Sequence, residues 1–266
     1  MRKVFKDHKS GWIRLQQGSI FSGAIADGIS ESKDLFGLVI TPRCDIANRK
    51  VSTIHYLPLI PFKLWKYEIL SKLFQNVEFD KLTDKLLAFC KENNITESLF
   101  DRKYLFSEAD IESSICHVRG YKDIINKYKE RCQIENIDYC KSKVQGWSKG
   151  KDKVKELIQN KQAHYYLIED WRTDKEYMVI MLRDVKRLDF SFAEKMEKGV
   201  SEKIMVEEDF HRNDVCKTDT GTMVYKLQQV IESPYLEHIM EAFSKNFCRI
   251  GVDRIEESVL NDLTNV

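Results

Sequence analysis

Leu35-Phe36-Gly37-Leu38-Val39-Ile40-Thr41-Pro42 is the stretch that decides the fold. It is apolar, partly β-branched, and closed by a proline, as a strand buried on both faces should be. A second apolar run, Val51-Ser52-Thr53-Ile54-His55-Tyr56-Leu57-Pro58-Leu59-Ile60, follows after a nine-residue loop, with Pro58 pointing to an edge or a bulge. Upstream, Gly18-Ser19-Ile20-Phe21 starts another strand after a turn. Residues 1–62 therefore read as a β-rich zone.

The period changes after Pro61. Leu64, Trp65, Ile69, Leu70, Leu73 and Phe74 recur at helical spacing, as do Leu82, Leu86, Leu87, Phe89 and Cys90. Ser107-Glu108-Ala109-Asp110 reads as a capping box, opening a helix through Ile111, Ile115, Val118, Tyr121, Ile124, Ile125 and Tyr128. A lysine-rich stretch, loosened by Gly146 and Gly150, ends this helical zone, 63–161. Strands return in the third zone, 162–266. Ala163–Glu169 and Tyr177–Leu182 form a hairpin, Val185–Phe190 continues it, and Thr222–Leu227 adds a later strand. Ser233-Pro234 then opens a terminal helix with Leu236, Ile239, Met240, Phe243 and Phe247 on its buried stripe and Gly251 as its stop. This order of zones, without an alternating βα repeat, predicts an α+β fold. Strands from both ends of the chain would make one small, strongly bent barrel, with the helical zone beside it.

Composition narrows the class. The 266 residues are 42% hydrophobic and 32% charged, which rules out a disordered or collagen-like chain. No apolar run approaches the roughly 18–20 residues that span a bilayer. The basic N-terminus is followed by no apolar stretch, so a signal peptide is not expected. Seven cysteines, an odd number with no Cys-x-x-Cys pair, read as reduced thiols of a cytoplasmic protein. Net charge is +1, but residues 1–162 carry 29 Lys/Arg against 21 Asp/Glu and residues 163–266 carry 14 against 21. That asymmetry reads either as a basic binding face or as ordinary solvated surface.

Gly18-Ser19-Ile20, Gly37-Leu38-Val39-Ile40-Thr41-Pro42 and Leu57-Pro58-Leu59 together resemble the opening of the MazF/PemK-like toxin barrel. Val179-Ile180-Met181-Leu182-Arg183-Asp184-Val185-Lys186-Arg187-Leu188-Asp189 is similar to that family's late strand. The resemblance implies a small SH3-like β-barrel with a helical insertion at 63–161, and a nucleic-acid-associated protein of bacterial toxin or defence type. The family cleaves RNA with an Arg in the first inter-strand loop and a Ser or Thr near the Val-Pro strand end. Here the loop at 22–34 has no Arg, and the residue two beyond Pro58 is Ile60.

Two sets of residues carry candidate chemistry. Arg43, Cys44 and Asp45 follow the decisive strand, and His55 lies on the next one. A hairpin would bring His55 near Cys44 or Asp45 as a Cys/His or Asp/His pair, with Arg43 favouring the thiolate. An Asx turn and ordinary packing are the plain alternative. Lys141, Lys143, Lys149, Lys151 and Lys153 surround Trp147, a mixture that suits single-stranded RNA or DNA: phosphates on lysine, bases on the indole. A solvated helix is the plain alternative there.

No metal site is expected. Cys116-His117 are adjacent on a helix, Cys132 and Cys140 lack His partners, and Cys44, Asp45 and His55 lack a fourth ligand. No cofactor loop is present: Walker A, Gly-x-Gly-x-x-Gly and Gly-x-Ser-x-Gly are all missing. The competing class is a non-catalytic regulatory subunit that docks a partner protein. A thiol- or metal-dependent hydrolase at the Cys44 loop is a third.

Overall fold

The computed structural model describes residues 13–29, 34–101, 106–169, 172, 176–218 and 220–247. The fold is mixed α+β, with a curled, antiparallel half-barrel sheet. The chain divides into two compact units, one made of 1–60 with 157–266, the other of 61–156.

In the first unit, β1 (Ser19–Ser22), β2 (Phe36–Val39) and β3 (Thr53–Pro61) come from the start of the chain. After the helical stretch come β4 (Tyr165–Glu169), β5 (Tyr177–Met181), β6 (Lys186–Asp189), β7 (Val200–Ser201), β8 (Val224–Tyr225) and β9 (Leu227–Val230). The main sheet runs β4-β5-β3-β2-β1-β9, with β6 also pairing β3. Strands from both ends of the chain thus share one sheet. β7 and β8 form a separate pair.

Alternation explains why the strands read as continuous apolar runs. Ile20, Leu38, Leu57 and Leu59 face one core together with Ile180 and the helix residues Leu236 and Ile239. Phe21, Val39, Ile54 and Tyr56 face the opposite core with Leu188, Phe192 and Tyr225. With both faces covered, neither side of β2 meets water, and all four of its residues are buried. Pro58 sits within β3 opposite Gly37, inside the sheet rather than at an edge. Gly37 has a second role. A Cβ there would lie 2.2 Å from the Phe21 ring and 2.8 Å from Tyr56, so only glycine lets the two rings meet edge-to-face at 4.9 Å.

The segment 43–47, expected as loop, is a short helix, α1 (Arg43–Ala47), entered from Pro42. Proline is tolerated there because the first helical N–H groups have no intrahelical partner.

The second unit is helical. The two amphipathic runs after Pro61 merge: a π turn over Trp65–Ile69 leads into the 23-residue α2 (Leu70–Glu92). The helix after residue 107 is split instead, into α3 (Glu108–Ile115) and α4 (Tyr121–Ile134), with Gly120 at φ +85 between them. The capping box forms as the sequence implies: Ser107 Oγ accepts the Asp110 N–H, and the Asp110 carboxylate accepts the Ser107 N–H. α5 (Ile137–Lys143) and α6 (Ser148–Ile158) follow. Leu86, Phe89, Cys90, Phe100, Ile111, Ile115, Ile124 and Ile125 form one core of this unit. The terminal helix of the chain starts at Tyr235; the Gly251 stop lies outside the described residues.

Candidate functional site

β2 delivers the chain into α1 with Thr41 buried at the join. Thr41 Oγ1 accepts the His55 N–H at 2.7 Å, and Ile40 N–H donates to the His55 carbonyl at 2.9 Å. The β2–β3 hairpin is therefore closed through His55's backbone, while its imidazole is exposed on β3, opposite Arg187 of β6. Arg43 and Cys44 are exposed and Asp45 is half-buried on α1. The Cys44 thiol points to Asp45 Oδ1 at 3.6 Å, and Asn48 Nδ2 donates to the Cys44 carbonyl at 2.7 Å. Among the described residues, no hydrogen bond or ion pair links His55 to Cys44 or Asp45. The structure thus joins Cys44 to Asp45 and leaves His55 apart. Arg49, two residues past α1, pairs with Glu194 and lies over the Phe190 ring. The turn presents a thiol, a carboxylate and a guanidinium to solvent, without the thiol–imidazole bond that activates a cysteine nucleophile.

The lysine cluster divides by partner. Lys141 is held by Glu68 at 2.9 Å and lies over the Tyr67 ring; this hydrogen bond raises its pKa above the ordinary lysine range. Lys153 pairs with Glu156 and Lys155 with Asp152. Lys143, Lys149 and Lys151 are exposed and make no ion pair among the described residues, Lys143 lying over the Tyr139 ring and Lys149 acting on Glu78 only through space. Trp147 is only 8% exposed. Its ring meets Phe74 edge-on at 5.4 Å, and its Nε1–H donates to Glu78 at 3.2 Å. Gly150, which the sequence suggests as a loosening point, is inside α6, where a Cβ would lie 2.8 Å from the indole. An indole so enclosed cannot stack on a base, so the aromatic half of the single-strand pattern is core packing. Glu78 is correspondingly tuned: burial pushes its carboxyl up, but Lys81 and the indole N–H outweigh this and hold it below the ordinary range.

A third constellation has no sequence signal, because Asp27 lies 157 residues before Asp184 and 159 before Lys186. Asp184 Oδ2 accepts the Asp27 N–H at 2.7 Å, and Lys186 Nζ bridges Asp184, at 2.9 Å, and Asp27. Burial pushes the Asp184 carboxyl above its usual range, against the opposing pull of the Asp27 N–H and Lys186. Burial alone would lower Lys186, but its bonds to the two aspartates carry it above the ordinary range. Beside them, the fully buried Tyr56 hydroxyl donates to the Asp214 carbonyl and accepts the Ile25 N–H. Burial drives its phenol far above the ordinary tyrosine range. These groups clamp the 24–29 loop against the β5–β6 turn.

Among the described residues, no group of three or more His, Cys, Asp or Glu side chains is placed to hold a metal ion. None of their helices is long and apolar enough to cross a membrane. Comparison with family models, curated proteins and solved structures finds no match.

Proposed function

We propose that this chain is an SH3-like β-barrel protein with a helical insertion, of the bacterial toxin or defence type, that engages the phosphate backbone of a nucleic acid through Lys143, Lys149 and Lys151. One observation carries the reading. Between residues 141 and 155 there are six lysines and a single acidic residue, and Lys143, Lys149 and Lys151 extend into solvent without an ion pair among the described residues, only Lys149 being close enough to a carboxylate, Glu78, to act on it through space. Such charges gain most from displacing condensed counterions on a phosphate chain. With Trp147 enclosed, recognition is by backbone charge rather than base stacking, so duplexes should bind as well as single strands. Arg43, Cys44 and Asp45 are not needed for this binding role, and a chemical step at their turn would need a base other than His55. Titration of labelled RNA and duplex DNA at low and moderate salt tests the reading: a saturable shift that weakens with salt supports it, and no shift at low salt overturns it.

The alternative, a subunit that docks another protein, draws on a different surface. Ile204, Val206 and Val224 are 75%, 61% and 50% exposed around the β7–β8 pair, a concentration of apolar side chains that a monomer does not need. Ile204→Ser/Val224→Ser leaves nucleic-acid binding intact if the first reading holds.

A further inference from the structure

In the helical unit, a groove of about 500 Å³ lies between α2, the 97–101 turn and α4. Phe79, Leu86 and Leu87 give it an apolar wall, and Thr83 and Arg131 also line it. The volume is in the range that takes a small organic molecule.

Its polar wall is incomplete. Arg131 is a cation only 8% exposed, and it makes no ion pair among the described residues. One amino group donates to the Phe100 carbonyl, and the guanidinium lies 5.7 Å from the Phe79 centroid and 5.5 Å from that of Tyr128. Its Nε is buried without a hydrogen-bond partner, and so is Thr83 Oγ1 on the same groove. A helix can satisfy a threonine hydroxyl on its own backbone, and a surface arginine can reach water, but here neither happens. A buried guanidinium that no carboxylate pairs with directly is unfavourable, and ring faces offset only part of that.

We propose that this groove binds a small organic carboxylate with an apolar or aromatic body. The carboxylate accepts from Arg131 and from the Thr83 hydroxyl, and the apolar body lies along Phe79, Leu86 and Leu87. Glu97, Asp101 and Glu135 line the same groove and repel any anion, so a carboxylate is held only where Arg131 and Thr83 take it directly, and the second charge of a phosphate ester adds to the repulsion. Solvent does not reach either orphaned atom, so the ligand enters through a side-chain movement at the wall, which slows association below the rate of a preformed site.

Calorimetric titration of the full chain tests this with 3-phenylpropionate, its neutral amide and 3-phenylpropyl phosphate. The carboxylate binds saturably, and the amide and the phosphate at least about tenfold more weakly. Arg131→Met abolishes binding. Thr83→Val, which removes a hydroxyl that has no partner to lose, folds as the wild type does and weakens binding about tenfold. Should Arg131→Met fail to fold, Thr83→Val decides. Absence of carboxylate binding, equal binding of the amide or the phosphate, or unchanged affinity in Thr83→Val overturns the proposal.

Discussion

Alanine at position 37 should destabilise the half-barrel even though it adds a single methyl group. Gly37 lies directly across from Phe21 in the β1–β2 pair and from Pro58 in the β2–β3 pair. The new Cβ would fall 2.2 Å from two atoms of the Phe21 ring and 2.8 Å from Tyr56, closer than carbon atoms approach without bonding. Neither ring has room to retreat. Both are fully buried, and Tyr56 is anchored through its hydroxyl to the Asp214 carbonyl. Overpacking of this kind costs about 1–3 kcal/mol, and spoiling the edge-to-face pair adds roughly 1 kcal/mol. For a chain of this size that lowers the unfolding midpoint by about 4–7 °C. Circular dichroism melting measures it. The cause is checked by Phe21→Leu, which should cost at least about 1 kcal/mol less beside Gly37→Ala than alone, because the shorter side chain relieves the clash. A Gly37→Ala midpoint within about 1 °C of wild type would refute the packing argument.

Lys186→Met should cost about 3–5 kcal/mol in urea unfolding at neutral pH, since it strands the buried Asp184 carboxylate without its cation. Asp184 titrates above its ordinary range in the folded protein, so its protonated form favours folding below the unfolded value of 3.8, and that contribution is lost as pH rises through the folded value. The gap between wild type and variant should therefore narrow on acidification; a gap that widens contradicts the clamp. Lys186, also raised, contributes stability below 10.5 that disappears as the pH climbs past its folded value. Trp147→Ala should lose about 3–5 kcal/mol as a core truncation, where a solvent-facing stacking platform would lose almost nothing. Peptide mapping after native alkylation should find Cys44 and Cys116 modified and Cys90, Cys140 and Cys216 protected until denaturant is added, because burial pushes the Cys90 and Cys140 thiols up as well as enclosing them.

The sequence was most legible where a local rule determines structure. Apolar runs bounded by Pro42 and Pro61 became β2 and β3, and Ser107 with Asp110 became a capping box. It was less legible where tertiary contacts decide. Two helical patterns on either side of Gln75 and Asn76 fused into α2 because Leu70, Phe74, Leu82 and Leu86 all bury along one continuous helix. Trp147 in a lysine-rich stretch looks exposed by its neighbours, yet its burial depends on Phe74 and Glu78, about seventy residues earlier. Arg49 beside the 43–47 turn takes its partner, Glu194, from 145 residues further on. The Asp27–Lys186–Asp184 clamp and the Arg131 groove have no periodic or spacing signature, since each is assembled by chain reversals that pairwise spacing does not encode.

The most direct test of the phosphate-binding reading is the salt slope of nucleic-acid binding in wild type and in the Lys143→Gln/Lys149→Gln/Lys151→Gln variant. Three phosphate contacts predict a slope of log K against log salt of about −2 for a single strand and about −2.7 for a duplex. The variant should lose most of that slope along with its affinity while keeping close to the wild-type melting midpoint, because all three lysines are exposed and none makes an ion pair among the described residues. An unchanged slope in the variant would contradict the account.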